Sequence, residues 1–251
     1  MNQEILAKRQ RQVLYDKKWK KFLRRAWLFR HLSFCEFALG AGSLAVGNIE
    51  SDSDFDVIIG VRAGRIFTAR FFAAALFGLF GWRRTRLDHR ESASDKVCLN
   101  HFVTTASYAL SGPHTASWRE LYKNLVPIWG NEDKIKEFFI SNNSWLYPLS
   151  EAVERYYPNS PSVIPRSAEG SYLDSYFIND LRYLNKNPSH FKKSLEYILA
   201  GKIGNFFERA IKFFQIKKIE RSLKDQIGHK PRLIYTDFEL EFHPDRRKFE
   251  I

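Results

Sequence analysis

The chain has 251 residues, of which 44% are hydrophobic and 27% charged, enough apolar material for one or two domains and a composition that argues against disorder over most of the length. Forty Lys and Arg against 28 Asp and Glu leave a net charge of +12. That balance attracts polyanions, although a lysine-rich composition kept for solubility produces it too.

The first predicted element is a long helix over residues 3–32. Leu6, Val13, Leu14, Trp19, Phe22, Leu23, Trp27 and Leu28 recur at three- and four-residue steps, and Lys17, Lys18, Lys20, Lys21, Arg24 and Arg25 fill the other face. A solvated face is the expectation there, with polyanion binding as the alternative. Residues 34–39 are aromatic and apolar, stop at Gly40 and read as a buried strand, and Gly42 and Ser43 then open a tight turn. A second strand is expected over 54–61, with Val57, Ile58, Ile59 and Val61 as its β-branched body. Gly64 ends it, a helix follows over 66–80, and a third strand spans 96–104. The alternation predicts an α/β or α+β unit in the first half of the chain.

The composition changes at Ser111-Gly112-Pro113. Short helices are expected over 117–126 and 133–141, a proline-rich linker over 157–165, and helices over 171–185 and 189–214. Phe206, Phe207, Ile211, Phe214 and Ile219 extend the last apolar face to about residue 223. A short strand is possible over 233–238. The chain thus divides into a basic helix (1–33), an α/β domain (34–110) and a mainly helical C-terminal region (111–251).

No stretch predicts a membrane span. The best candidate, 66–82, is interrupted by Arg70, which leaves roughly a dozen clean apolar residues where about twenty are needed. A buried helix fits it better than one lying in a membrane interface. The basic N-terminus has no apolar signal core, so a cytoplasmic setting is expected. Cys35 and Cys98 are too far apart in sequence for a disulfide scaffold, and the histidines lack metal-ligand spacing. Cys35 reads as core. Cys98 and His101 lie three apart on one predicted strand, so they are expected on opposite faces and not as a catalytic pair. An aromatic run over 172–183, with Arg182, is compatible with base stacking but reads better as helix core.

The chemistry concentrates in residues 42–59, GSLAVGNIESDSDFDVII. Asp54 and Asp56 stand at i and i+2 at the mouth of a strand, so both carboxylates share a face. Two such carboxylates repel unless a cation lies between them, and Mg2+ is commonly held by one or two carboxylates with water and substrate phosphates. Upstream, Gly42 permits close backbone approach and Ser43 offers a hydroxyl beside the start of a helix. A Gly-Ser or an Asp-x-Asp alone is an ordinary turn. The conjunction, at this spacing and between two apolar strands, describes a site for nucleoside triphosphate chemistry.

The segment resembles the signature of the DNA polymerase β-like nucleotidyltransferase superfamily, in its minimal bacterial and archaeal form. That signature is an apolar strand, Gly-Ser, a short helix with a small residue and a glycine, then Ser-Asp-x-Asp followed by apolar residues. The likeness covers roughly residues 34–104. It implies a nucleotidyltransferase fold, a small mixed sheet flanked by helices, in which Gly42 and Ser43 contact the triphosphate, Ser53 stabilises the turn, and Asp54 and Asp56 coordinate Mg2+. It further implies transfer of a nucleoside monophosphate from an NTP to a hydroxyl with release of pyrophosphate. The acceptor would be a small molecule, a protein side chain or an RNA end, with the net charge favouring a polyanion.

Two positions depart from the pattern. Val46 stands where many members have arginine. The expected third carboxylate is missing from the strand Val97-Cys98-Leu99-Asn100-His101-Phe102-Val103, where Asn100 or His101 takes the equivalent region. Asp88 would supply it if that strand began earlier, with Asp95 and Glu91 as weaker candidates. The alternative is a catalytically degenerate nucleotidyltransferase-fold protein that binds nucleotide or RNA, or serves as an antitoxin-like partner.

Overall fold

The computed structural model describes residues 3–85, 93–112, 114–146, 182–184, 187–224 and 232–243. Among these, seven α-helices flank a six-stranded mixed sheet. Helix α1 (Gln3–Ala26) runs into a 3₁₀ turn (Trp27–His31) and then strand β1 (Cys35–Ala41). Helix α2 (Gly42–Val46), β2 (Phe55–Val61), α3 (Ile66–Leu79) and β3 (Val97–Val103) follow. Then come α4 (Ala116–Lys123), β4 (Val126–Gly130) and α5 (Glu132–Leu146). The remaining elements are α6 (His190–Ile198), α7 (Gly201–Lys224), β5 (Arg232–Tyr235) and β6 (Glu239–His243).

The strand order is β4-β1-β2-β3-β6-β5. Only the β2–β3 pair is parallel among the described strands, with α3 as its crossover. Each face of the sheet has its own core. On one face, Phe55, Val57, Ile59 and Leu99 pack with Trp19, Phe22, Phe29, Phe67 and Phe77 from α1, the 3₁₀ turn and α3. On the other, Phe37, Leu39, Ile58 and Val103 pack with Trp118, Tyr122, Phe138 and Leu146 from α4 and α5. The alternation of these two sets along β1 and β2 is the period-2 rule for a sheet covered on both sides. Gly60 makes room for Phe37, whose ring occupies the space a side chain at 60 would need.

Three expectations are revised. The helix expected over 117–126 ends at Lys123, and Val126 begins a strand over residues 126–130. Its Val126, Pro127, Ile128 and Trp129 are all buried, and Pro127 is tolerated because β4 is the sheet edge. The helix expected over 189–214 is two helices, broken by Gly201 at φ 65°. The tail contributes a hairpin, β5–β6, which completes the sheet beside β3. The linker over 157–165 and nearly all of the helix over 171–185 lie outside the described residues. No described helix is long and apolar enough to cross a membrane. Helix α3 instead buries Ile66, Phe67, Ala69, Ala73 and Phe77.

Candidate functional site

The site is assembled where β1 ends and β2 begins. Ala41, the last residue of β1, pairs with Asp56 of β2. Gly42 comes next, at φ 66°, and a β-carbon there would overlap the Asp56 carboxylate. Only glycine lets the chain turn into α2 while touching that side chain. Ser43 lies partly exposed in α2, which is five residues long and ends at Gly47.

The return loop is fixed from both sides. The Glu50 backbone N–H donates to Ser53 Oγ at 2.9 Å, and the Ser53 N–H donates to the Glu50 carbonyl at 3.2 Å. From α1, Lys18 Nζ donates to the carbonyls of Ser51 (2.7 Å) and Ser53 (2.8 Å) and pairs with Asp95 at 3.0 Å. Lys21 bonds the same Asp95 carboxylate, and Arg25 bonds its carbonyl. Burial pushes the Asp95 carboxyl up, but the bonds from Lys21 and Lys18 hold it below the usual range. Asp95 thus serves to clamp the loop and is not a third ligand. The basic face of α1 is not uniformly solvated: Lys17, Lys20 and Arg24 are exposed, whereas Lys18 is 4% exposed. Its signal in the sequence was its place between Tyr15 and Phe22 at the edge of the apolar stripe.

Asp54, Asp56 and Cys98 bring donor atoms within 4.8 Å of one another. Cys98 is the direct neighbour of Asp56 across the β2–β3 pair. Arg84 Nη1 donates to Asp54 Oδ2 at 2.7 Å, the two side chains being 13% and 15% exposed. Cys98 Sγ donates to Asn100 Oδ1 at 2.8 Å. Loss of water, then the Asp54 charge, push the Asp56 carboxyl up to about 7, against the opposing pull of Arg84 and of a hydrogen bond from Cys98. Burial and the same two carboxylates push the Cys98 thiol well above its ordinary value. A neutral thiol therefore stands beside Asp56, and Asn100, which the sequence placed at the equivalent of the third carboxylate, accepts a hydrogen bond from it. Asp88 and Glu91 lie outside the described residues.

The donor set fits one hard divalent ion shared with a ligand's phosphates, because Asp54 and Asp56 supply two carboxylates on one face. A thiol adds little for Mg2+, since sulfur selects softer ions.

One geometric expectation is overturned. The register passes from Asp56↔Cys98 to Ile58↔His101, so two steps on β2 match three on β3. This bulge puts Cys98 and His101 on the same face despite their odd spacing. They still form no pair, because His101 turns to Tyr122 and Glu239. Cys35 is buried in the core, its thiol pushed up to about 12 by desolvation.

Comparison with family models, curated proteins and solved structures finds no match to the chain.

Proposed function

We propose that the chain is a Mg2+-dependent nucleotidyltransferase that moves a nucleoside monophosphate from an NTP to a hydroxyl. The observation that carries this reading is the Asp54 and Asp56 carboxylates within 4.8 Å of each other at the start of β2, with the Gly42 backbone seated against Asp56. It agrees with the superfamily that residues 42–59 resemble. Mg2+ bound with the triphosphate would supply charge neutralisation at the reacting phosphate.

Asp54 and Asp56 hold the oxygen ligands in place. Gly42 admits the phosphates close to the backbone, and Ser43 offers a hydroxyl beside them. The acceptor oxygen forms a bond to the α-phosphorus as the bond to the pyrophosphate oxygen breaks. The acceptor's proton leaves to solvent or to a base on the bound substrates. The acceptor is a small molecule, a protein side chain or an RNA.

A second reading has its own observation. Arg84 already neutralises Asp54, and Cys98 takes the third position, the arrangement expected of a degenerate member that binds nucleotide or RNA without transfer.

The test offers the full chain each α-labelled NTP with Mg2+ and, separately, cell RNA, total protein and a small-molecule extract. Transfer by wild type that falls at least ~100-fold in Asp54→Asn/Asp56→Asn is expected. Transfer that survives this double substitution overturns the assignment. Saturable Mg2+–NTP binding without transfer to any acceptor selects the degenerate reading.

A further inference from the structure

A second cluster of ligating side chains lies on the same face of the sheet, on β3 and β6. His101, Glu239 and Glu241 place an imidazole nitrogen and two carboxylate oxygens within 4.8 Å of one another. They are 3%, 5% and 0% exposed. Glu241 is the cross-strand neighbour of His101, and Glu239 follows at i−2 on the same face. β6 is two strands from β2, about 10 Å at ordinary strand spacing.

Two features set this cluster apart from a chance meeting of acids. The first is charge. Carboxylates taken fully out of water are costly unless a cation or proton meets them, and buried charges in proteins are paired or bind metals.

The second is the orientation of the imidazole. His101 Nε2 faces Glu239 Oε1 at 3.2 Å, inside the cluster, while Nδ1 faces the Tyr122 hydroxyl at 3.2 Å, outside it. Tyr122 is itself buried and stacked on Trp118, with ring centroids 5.2 Å apart. A histidine that ligates through one nitrogen usually has the other held by a hydrogen bond, which fixes both tautomer and ring plane. In the tautomer whose Nδ1–H donates to Tyr122 Oη, the Nε2 lone pair is left to face an ion between it and the two glutamates.

We propose that His101, Glu239 and Glu241 bind a divalent transition-metal ion of the zinc class, which ties the C-terminal hairpin to β3. One imidazole and two carboxylates form a mixed nitrogen–oxygen set that suits zinc, cobalt or manganese better than Mg2+ or Ca2+, which prefer oxygen alone. The inference does not rest on the nucleotidyltransferase reading, and the two sites are separable by substitution.

The full chain is loaded with Zn2+ or Co2+, desalted, and its metal content and visible absorption measured. Wild type and Asp54→Asn/Asp56→Asn/Cys98→Ser should each retain one equivalent and, with Co2+, show a ligand-field band. Glu241→Gln and His101→Gln should bind at least ~100-fold more weakly, and Tyr122→Phe ~10–100-fold more weakly. Absence of retained metal in wild type, or retention in both Glu241→Gln and His101→Gln, overturns the proposal. So does loss of the metal in the Asp54/Asp56/Cys98 variant. If the two ligand variants do not fold, thermal unfolding of the Asp54/Asp56/Cys98 variant decides. A midpoint raised by Zn2+ and lowered by chelator supports the site, and an unchanged midpoint overturns it.

Discussion

Asp56 is held by three neighbours of different kinds: the Asp54 carboxylate beside it, the Arg84 guanidinium beyond, and the Gly42 backbone against its oxygens. Its carboxyl titrates near 7 in the folded chain against 3.8 for the ordinary group, because burial and Asp54 outweigh Arg84 and Cys98. The folded state therefore holds this proton more tightly than the unfolded state does. The stability it contributes is complete below about pH 4 and is lost as pH rises toward 7. Wild-type stability should fall relative to Asp56→Asn across that window, read as the difference between two urea-denaturation series. Parallel curves from pH 4 to 8 would sink the assignment. Ionisation should also strengthen divalent-ion binding as pH rises through neutrality, since Mg2+ takes the charged carboxylate.

Among the elements, α3 shows how the C-terminal helices brace the α/β unit. Its N-cap, Arg65, makes no side-chain capping bond. The free N–H groups of Phe67 and Thr68 instead donate to the Glu208 carboxylate of α7 at 2.9 and 2.8 Å. A carboxylate at a helix N-terminus is favoured by both hydrogen bonding and the helix dipole. The Phe72 and Phe207 rings stack alongside, 6.2 Å between centroids. Glu208→Ala should destabilise the chain by about 1–2 kcal/mol, seen as a lower urea midpoint at unchanged slope. A midpoint equal to wild type would mean that water caps α3 equally well. Helix α6 acts similarly on β1. Glu196 accepts the backbone N–H of Phe34 at 2.6 Å, where φ is 62°, and Lys192 bonds the Cys35 carbonyl. Neither Glu208 nor Glu196 is marked by its local sequence, because each partner lies more than a hundred residues away.

At the scale of the whole molecule, the sheet is a composite. β1, β2 and β3 come from residues 35–103, while β4 and the β5–β6 hairpin come from the chain beyond residue 110. β6 covers what would otherwise be the open edge of β3, and its Leu240 and Phe242 join the core that contains Phe102. An uncovered edge with buried apolar neighbours is an aggregation template. Truncation after residue 231 should shift the protein into large aggregates on size-exclusion chromatography and remove its near-UV signal. A truncated chain that elutes and melts like wild type would show that β5–β6 is dispensable. Two of the forty basic residues, Lys18 and Lys192, are spent inside the fold, buried and paired with Asp95 and Glu196.

The sequence by itself determined the local order of β1, α2, β2, α3 and β3 and the closeness of the Asp54 and Asp56 carboxylates. Apolar periodicity, glycine breaks and i, i+2 alternation are properties of neighbouring residues and need no knowledge of the rest of the chain. Only the tertiary structure decided that Cys98 stands beside Asp56, that Arg84 neutralises Asp54, and that Lys18 leaves the basic face of α1 to hold the Asp54 loop. It also decided that His101 shares a face with Cys98, because a bulge adds one residue to β3 opposite β2. Each of these depends on strand register or on contacts between groups distant in sequence. Those are fixed by packing the two cores around the sheet, and no periodicity of the sequence encodes them.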